Sequence, residues 1–169
     1  ISEKATLQQA NELIRKEKLS VLCVVDKNQK LKAIVSRRDL EKNQSYPMAN
    51  KDANKHLYVG AALGVGKDML ERAHALVNSG TDALVVDAAH GHSKGIINAV
   101  KTLKKEKFSK KVDVVAGNIA TQKGALDLVA AGVDGVKVGV GPGSICTTRV
   151  VAGIGVPQVL ARPIGLLSQ

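Results

Sequence analysis

From Leu57 onward the chain alternates unbroken apolar runs with amphipathic stretches, and this alternation narrows the possible folds more than any single motif does. The runs are Leu57 to Ala62, Ala83 to Asp87, Val112 to Ala116 and Val136 to Gly139. Apolar residues follow one another in them, so each strand needs cover on both faces, as in a parallel sheet. Between the runs, Met69, Ala73, Leu76 and Val77 fall at helical spacing. So do Ile96, Val100 and Leu103, and then Ala125, Leu126, Val129 and Ala130. Such intervals gather apolar residues on one helix face. Strand and helix in alternation make an α/β fold with a helix-covered parallel sheet.

An internal echo refines this. Ala75-Leu76-Val77-Asn78-Ser79-Gly80-Thr81-Asp82-Ala83 resembles Asp127-Leu128-Val129-Ala130-Ala131-Gly132-Val133-Asp134-Gly135, which lies 52 residues later. In each copy a helix ends at a glycine suited to the left-handed position beyond a helix, and an aspartate leads into a strand. One further unit lies between the copies, which sets the repeat at about 26 residues. Eight such units approach the roughly 250 residues of a (β/α)8 barrel. Residues 57–158 are therefore expected to form a partial (β/α)8 TIM barrel of about four βα units.

The chain before Leu57 is organised differently. Thr6 and Gln9 have capping-box spacing, and Leu7, Ala10, Leu13 and Ile14 give the helix that follows one apolar face. Val21 to Val25 reads as a buried strand with Cys23 as a small apolar core residue. Asp26 to Gln29 reads as a turn, and Leu31 to Val35 as a second strand. Ser36 is placed to cap a short helix containing Arg37 to Leu40. Residues 1–42 thus make a compact half-module, and the polar stretch 43–56, with Pro47, reads as a linker.

The net charge is +10, but the excess is spread along the chain, apart from Lys101, Lys104, Lys105, Lys107, Lys110 and Lys111. That group closes a helix, where cations suit the negative end of the dipole. With one Phe, two Tyr and no Trp there are no stacking platforms, so nucleic acid is not an expected partner. No apolar run reaches the roughly 20 residues of a membrane span. Two cysteines 123 residues apart suit a reduced, cytoplasmic protein better than a disulfide scaffold. The chain opens on Ile1, with neither a starting Met nor a leader, and reads as a fragment.

A barrel of this class carries its site at the carboxyl ends of its strands. Those ends hold Asp87-Ala88-Ala89-His90-Gly91-His92-Ser93, Ala116-Gly117-Asn118, and the stretch from Gly139 to Arg149. In the last, Gly139, Gly141 and Gly143 let backbone approach a ligand. Exposed carbonyls there suit a monovalent cation, while N–H groups and the Ser144 hydroxyl suit phosphate. Cys146 at the exit of such a loop is a candidate nucleophile, because nearby positive dipole ends stabilise its thiolate. The competing view makes Cys146 a buried apolar residue, Asp87 a helix cap and Asn118 a turn residue. His90 and His92 read as surface loop residues.

Gly139-Val140-Gly141-Pro142-Gly143-Ser144-Ile145-Cys146-Thr147-Thr148-Arg149 resembles the catalytic loop of IMP dehydrogenases, and Val151 to Gln158 continues the match. Val86 to Ser93 and Ala116 to Thr121 look like further segments of that family. Residues 1–42 resemble the end of a CBS domain, which the family inserts into its barrel. After Gln158 the sequence departs from the family, leaving 159–169 as a divergent tail. The resemblance implies that Cys146 attacks C2 of IMP, that hydride passes to NAD, and that water hydrolyses the thioimidate to XMP. It implies Thr148 at the hydrolytic water and Ser144 at the IMP phosphate. Asp87, Ala88, Ala89, Asn118, Gly139, Val140 and Gly141 would lie along NAD. Carbonyls of Gly141, Gly143 and Cys146 would hold a potassium ion. It further implies a homo-oligomer, a tetramer in the family. GMP reductase and a non-catalytic nucleotide-sensing or assembly fragment are the alternatives. Half a barrel with two open edges is expected to be silent by itself.

Overall fold

The computed structural model describes residues 1–53 and 56–161, in two compact units that divide after Leu57. In the first unit the order is α1 (Leu7–Lys16), β1 (Val21–Val25), β2 (Leu31–Ser36) and α2 (Arg37–Ser45). Thr6 and Gln9 close the expected capping box on α1. Ser36 and Asp39 close a second one on α2. The strands pair antiparallel, with Leu22 opposite Val35 and Cys23 opposite Ile34. Opposed residues share a face. Leu22 and Val35 therefore pack with Ala10, Ile14 and Leu40 of the two helices.

The other face corrects the expected core position of Cys23, which is exposed. Ile34 opposite it is 63% exposed. Two strands and two helices cover one face only, and an apolar run cannot reveal which residues fall on the uncovered one. The linker also starts later than expected. Helix α2 runs on through Ser45, because nothing from Glu41 to Ser45 breaks a helix and Pro47 is the first residue that does. Leu40 is its one buried residue, so its polar composition disguised a helix as a linker.

The second unit alternates as expected: β3 (Gly60–Leu63), α3 (Met69–Asn78), β4 (Ala83–Asp87), α4 (Lys94–Lys105), a 3-10 turn (Lys107–Lys110), β5 (Asp113–Ile119), α5 (Gln122–Ala131) and β6 (Gly135–Val138). Short helices α6 (Thr148–Ala152) and α7 (Gln158–Ala161) follow. Residues 159–161 of the expected tail are thus helical, and Arg162 to Gln169 lie outside the described residues, as do Asn54 and Lys55 of the linker. The sheet is parallel, in the order β3-β4-β5-β6. Strand β3 begins at Gly60, three residues later than the apolar run, and Leu57 instead bridges Lys51 in the first unit. No helix among the described residues is long and apolar enough to cross a membrane.

The register assigns the two sheet faces. Leu84, Val86, Val114 and Ala116 form the core with Ile96, Val100 and Leu103 of α4 and Leu128 of α5. Residues of opposite parity share the other face: Ala62, Val85, Val115 and Gly135 in one row, Asp87, Gly117 and Lys137 in the next. The second row lies at the carboxyl ends.

The repeated Gly-x-Asp has a common purpose. Gly80 and Gly132 take the left-handed conformation that ends α3 and α5, at φ of 91° and 99°. Asp82 then accepts the Val59 N–H at 2.8 Å, and Asp134 the Val114 N–H at 2.7 Å. Each aspartate thereby ties the start of its strand to its neighbour. Lys104 also bonds Asp134, at 2.8 and 2.9 Å. Burial pushes the Asp134 carboxyl up, but the Lys104 and Val114 bonds and the Lys104 charge outweigh it and hold the group below its usual value.

Asp134→Ala leaves the N–H of fully buried Val114 unpaired and is expected to cost about 1–3 kcal/mol. Urea unfolding followed on β4 and β5 amide signals measures it. A carboxyl depressed in the folded state contributes stability above its unfolded value, near pH 4, and loses it as pH falls through the folded value. The wild type should therefore lose stability below about pH 4 more steeply than the variant does.

Candidate active site

The carboxyl ends of β4, β5 and β6 are laced together by backbone. The Ala88 N–H donates to the Gly117 carbonyl at 2.9 Å, and the Asn118 N–H returns to Ala88 at 2.8 Å. The Gly91 N–H donates to the Asn118 carbonyl, and the Gly139 N–H to Ile119, each at 2.8 Å. The Asn118 side chain adds a third strand, its Nδ2 donating to the Gly139 carbonyl at 3.0 Å. Three of the sequence-predicted segments, around Asp87, Asn118 and Gly139, are brought together in this way. Asp87 caps no helix, since Ser93 caps α4. Asn118 does more than hold a turn: its Oδ1 is buried and without a hydrogen-bond partner in the structure. An orphaned buried acceptor beside an exposed carboxylate fits a ligand rich in hydroxyl and amide donors.

Lys137 reaches across the sheet from β6 to donate to Asp87 Oδ2 at 3.1 Å. The two strands are not neighbours; β5 runs between them, at Gly117. A Cβ at Gly117 would clash with the Lys137 carbonyl oxygen and sit 2.7 Å from Lys137 Cβ. Sequence reading missed Lys137, because no local spacing links residues 87 and 137.

The glycine-rich loop turns at Gly139 (φ 137°) and Gly141 (φ 69°). Gln158 Nε2 donates to the Val138 carbonyl at 3.1 Å, and the Val156 N–H to Val140 at 2.9 Å, so the segment after the loop holds its base. The Cys146 N–H donates to the Gly143 carbonyl at 3.1 Å, closing a turn. Cys146 is half-buried, with its sulfur 3.3 Å from the Thr148 hydroxyl. That hydroxyl and the Thr148 N–H hold the thiol below its ordinary value; burial opposes them, and the Arg149 charge assists. An acidified, accessible thiol is what a nucleophile needs. Ser144 lies exposed on the same loop. Among the described residues, no group of three or more His, Cys, Asp or Glu is gathered for a metal.

His90 is exposed, as expected. His92, in the same loop, is half-buried, and its Nε2 lies 2.6 Å from Asp127 Oδ2 on α5. The hydrogen bonds from Lys123 and His92 hold the Asp127 carboxyl below its usual value. This pair anchors the loop after β4 from behind, and its 35-residue separation hid it in the sequence.

Residues 4–162 match the model of the IMP dehydrogenase / GMP reductase domain. An inosine-5'-monophosphate dehydrogenase of Rhodopirellula baltica is 52% identical over 156 residues, covering 92% of this chain and 28% of that protein. One from Aquifex aeolicus is 51% identical over 159 residues, covering 94% and 32%. The crystal structure of a GMP reductase variant from Trypanosoma brucei in complex with guanosine 5'-monophosphate superposes with a TM-score of 0.73 at 46% identity, over 94% of this chain and 33% of that one. The chain spans about a third of the length of these relatives.

The thiol geometry predicts that Thr148→Val raises the Cys146 value. Iodoacetamide alkylation of Cys146 near neutral pH should then slow roughly fivefold, the equivalent of about 1 kcal/mol or one net hydrogen bond. Its pH–rate curve should move to higher pH, as followed by peptide mass mapping.

Proposed function

The chain belongs to the IMP dehydrogenase / GMP reductase family, and on that premise we propose that it is the nucleophile-bearing part of an IMP dehydrogenase. The observation that carries this reading is the acidified, half-buried Cys146 beside Thr148, in a loop that lies next in sequence to the laced strand ends. The abundance of IMP dehydrogenases among relatives near 50% identity supports it.

The Cys146 thiolate adds to C2 of IMP, forming a carbon–sulfur bond, and a hydride leaves C2 with its electron pair. NAD, when bound, supplies the acceptor for that hydride. Water, positioned by Thr148, then adds to C2 of the thioimidate; the carbon–sulfur bond breaks, a proton passes to solvent, and XMP leaves as the thiolate is restored. Ser144 binds the IMP phosphate. Asp87, Ala88, Ala89, Asn118, Gly139, Val140 and Gly141 line the dinucleotide subsite, for which the orphaned Asn118 oxygen and the exposed Asp87 carboxylate are suited. Carbonyls of Gly141, Gly143 and Cys146 would hold a potassium ion. The Gly143 oxygen, though it accepts from Cys146, keeps a second lone pair for it.

Residues 1–42 are proposed as the end of a CBS domain, 43–56 as the return to the barrel and 57–158 as part of that barrel. A cytoplasmic homo-oligomer is part of the same proposal. With four strands of eight, the chain alone is expected to form no XMP. A second reading, GMP reductase, is favoured by the Trypanosoma brucei neighbour. It shares the thiol loop and differs in its substrate.

Cys23 is exposed and lies in the other unit, which makes it an internal reference. Saturating IMP should slow alkylation of Cys146 about fivefold or more, by occupancy, and leave Cys23 unchanged. Equal labelling of Cys146 with and without IMP refutes an IMP pocket in this chain. Protection by GMP but not by IMP moves the assignment to the second reading.

A further inference from the structure

Asp87, Gly117 and Lys137 occupy one row of the open sheet face at the carboxyl ends of β4, β5 and β6. Residues on alternate strands of a sheet lie about 9.5 Å apart. The Lys137 side chain spans that distance across the Gly117 position, which carries no side chain. Both partners are 45% exposed, so neither was driven together by burial. An exposed pair contributes little to stability. The placement of this one is more informative, since the carboxylate it engages is the one proposed to face the dinucleotide.

A free Asp side chain rotates about two bonds and presents either oxygen. With Oδ2 bonded to the Lys137 ammonium, Oδ1 becomes the oxygen offered to a ligand; Asn118, with its unpaired oxygen, follows Gly117, the register partner of Asp87 on the adjoining strand. A vicinal diol is the ligand chemistry that such a fixed acceptor edge selects. We propose that Lys137 is a positioning residue of the dinucleotide subsite: it fixes the Asp87 carboxylate to accept the ribose hydroxyls, and it acts through Asp87 without touching the dinucleotide. This rests on the dinucleotide reading given above. Gly117 lets the Lys137 carbonyl and Cβ approach closely, where a Cβ of its own would collide with them.

The test is a double-mutant cycle on the full 169-residue chain, with NAD as the probe and the Ala88 and Asn118 amide signals as the readout. Lys137→Met and Asp87→Asn should each weaken NAD binding about tenfold, the size of a coupled pair. The double variant should bind no more weakly than Asp87→Asn alone, and Lys137→Arg should bind within about threefold of wild type. Unchanged signals from α4 and α5 show that each variant is folded. Lys137→Gln, which retains a polar stem, stands in if the Met variant does not fold. Losses that multiply in the double variant overturn the proposal, because Lys137 would then touch the ligand directly. Unchanged binding in Lys137→Met overturns it as well. If the wild type does not bind NAD, the dinucleotide reading fails for this chain and the proposal falls with it; the first two outcomes leave that reading standing.

Discussion

The site depends on one constraint: the ends of three parallel strands are joined through the backbone at Gly117 and Asn118. A parallel ladder normally stops where strands end, leaving donors and acceptors for water. Here Ala88, Gly91 and Gly139 continue it beyond β4 and up to the foot of the glycine-rich loop. Backbone bonds hold these segments, which leaves their side chains available for other contacts. That division explains how an Asn can be partly buried with one amide group satisfied and the other left open. It also explains why Gly117 tolerates no side chain: space above it is taken from β6.

How much of this was legible depended on the distance over which each contact acts. The alternation of β3 to β6 with α3 to α5 was legible because burial imposes period and length on each element separately. The Gly-x-Asp echo was legible as a pattern. Its reason, an aspartate accepting the N–H of the neighbouring strand, needed the register. Lys137 with Asp87 and His92 with Asp127 were not legible at all. Each joins residues 35 to 50 positions apart through geometry that no local spacing encodes. Cys23 and α2 failed for a different reason. A run of apolar residues marks a strand but not which face has cover, and a polar run does not mark a linker when one leucine suffices to dock a helix.

Cys146 shows the opposite case. Its principal partner is two residues away, and the influences that lower its value, Thr148 and Arg149, come from the same turn, with burial opposing them. Local chemistry of that kind is written in the motif itself, which is why the loop could be identified from residues alone. Its position relative to the sheet is not local. Gln158 reaches back to the Val138 carbonyl, and the segment at Ile154 to Val156 closes on Gly141 and Val140.

The acidity of the Cys146 thiol and the ordering of the strand ends therefore rest on different parts of the molecule. The thiol is held below its ordinary value by a hydroxyl and an N–H within its own turn. The ordering requires strands held in register, a lysine crossing a glycine, and a loop pinned from 20 residues downstream. A family can preserve the first with one short motif, but it preserves the second only by keeping the sheet. The Gly-x-Asp staples act at the amino ends of the strands: Asp82 ties β4 to the segment entering β3, and Asp134 ties β6 to β5, which helps set Gly117 opposite Lys137. The ladders of β4, β5 and β6 put Asp87, Gly117 and Lys137 in one row. A slip of one residue along any of those strands would turn its member of the row to the helix-covered face.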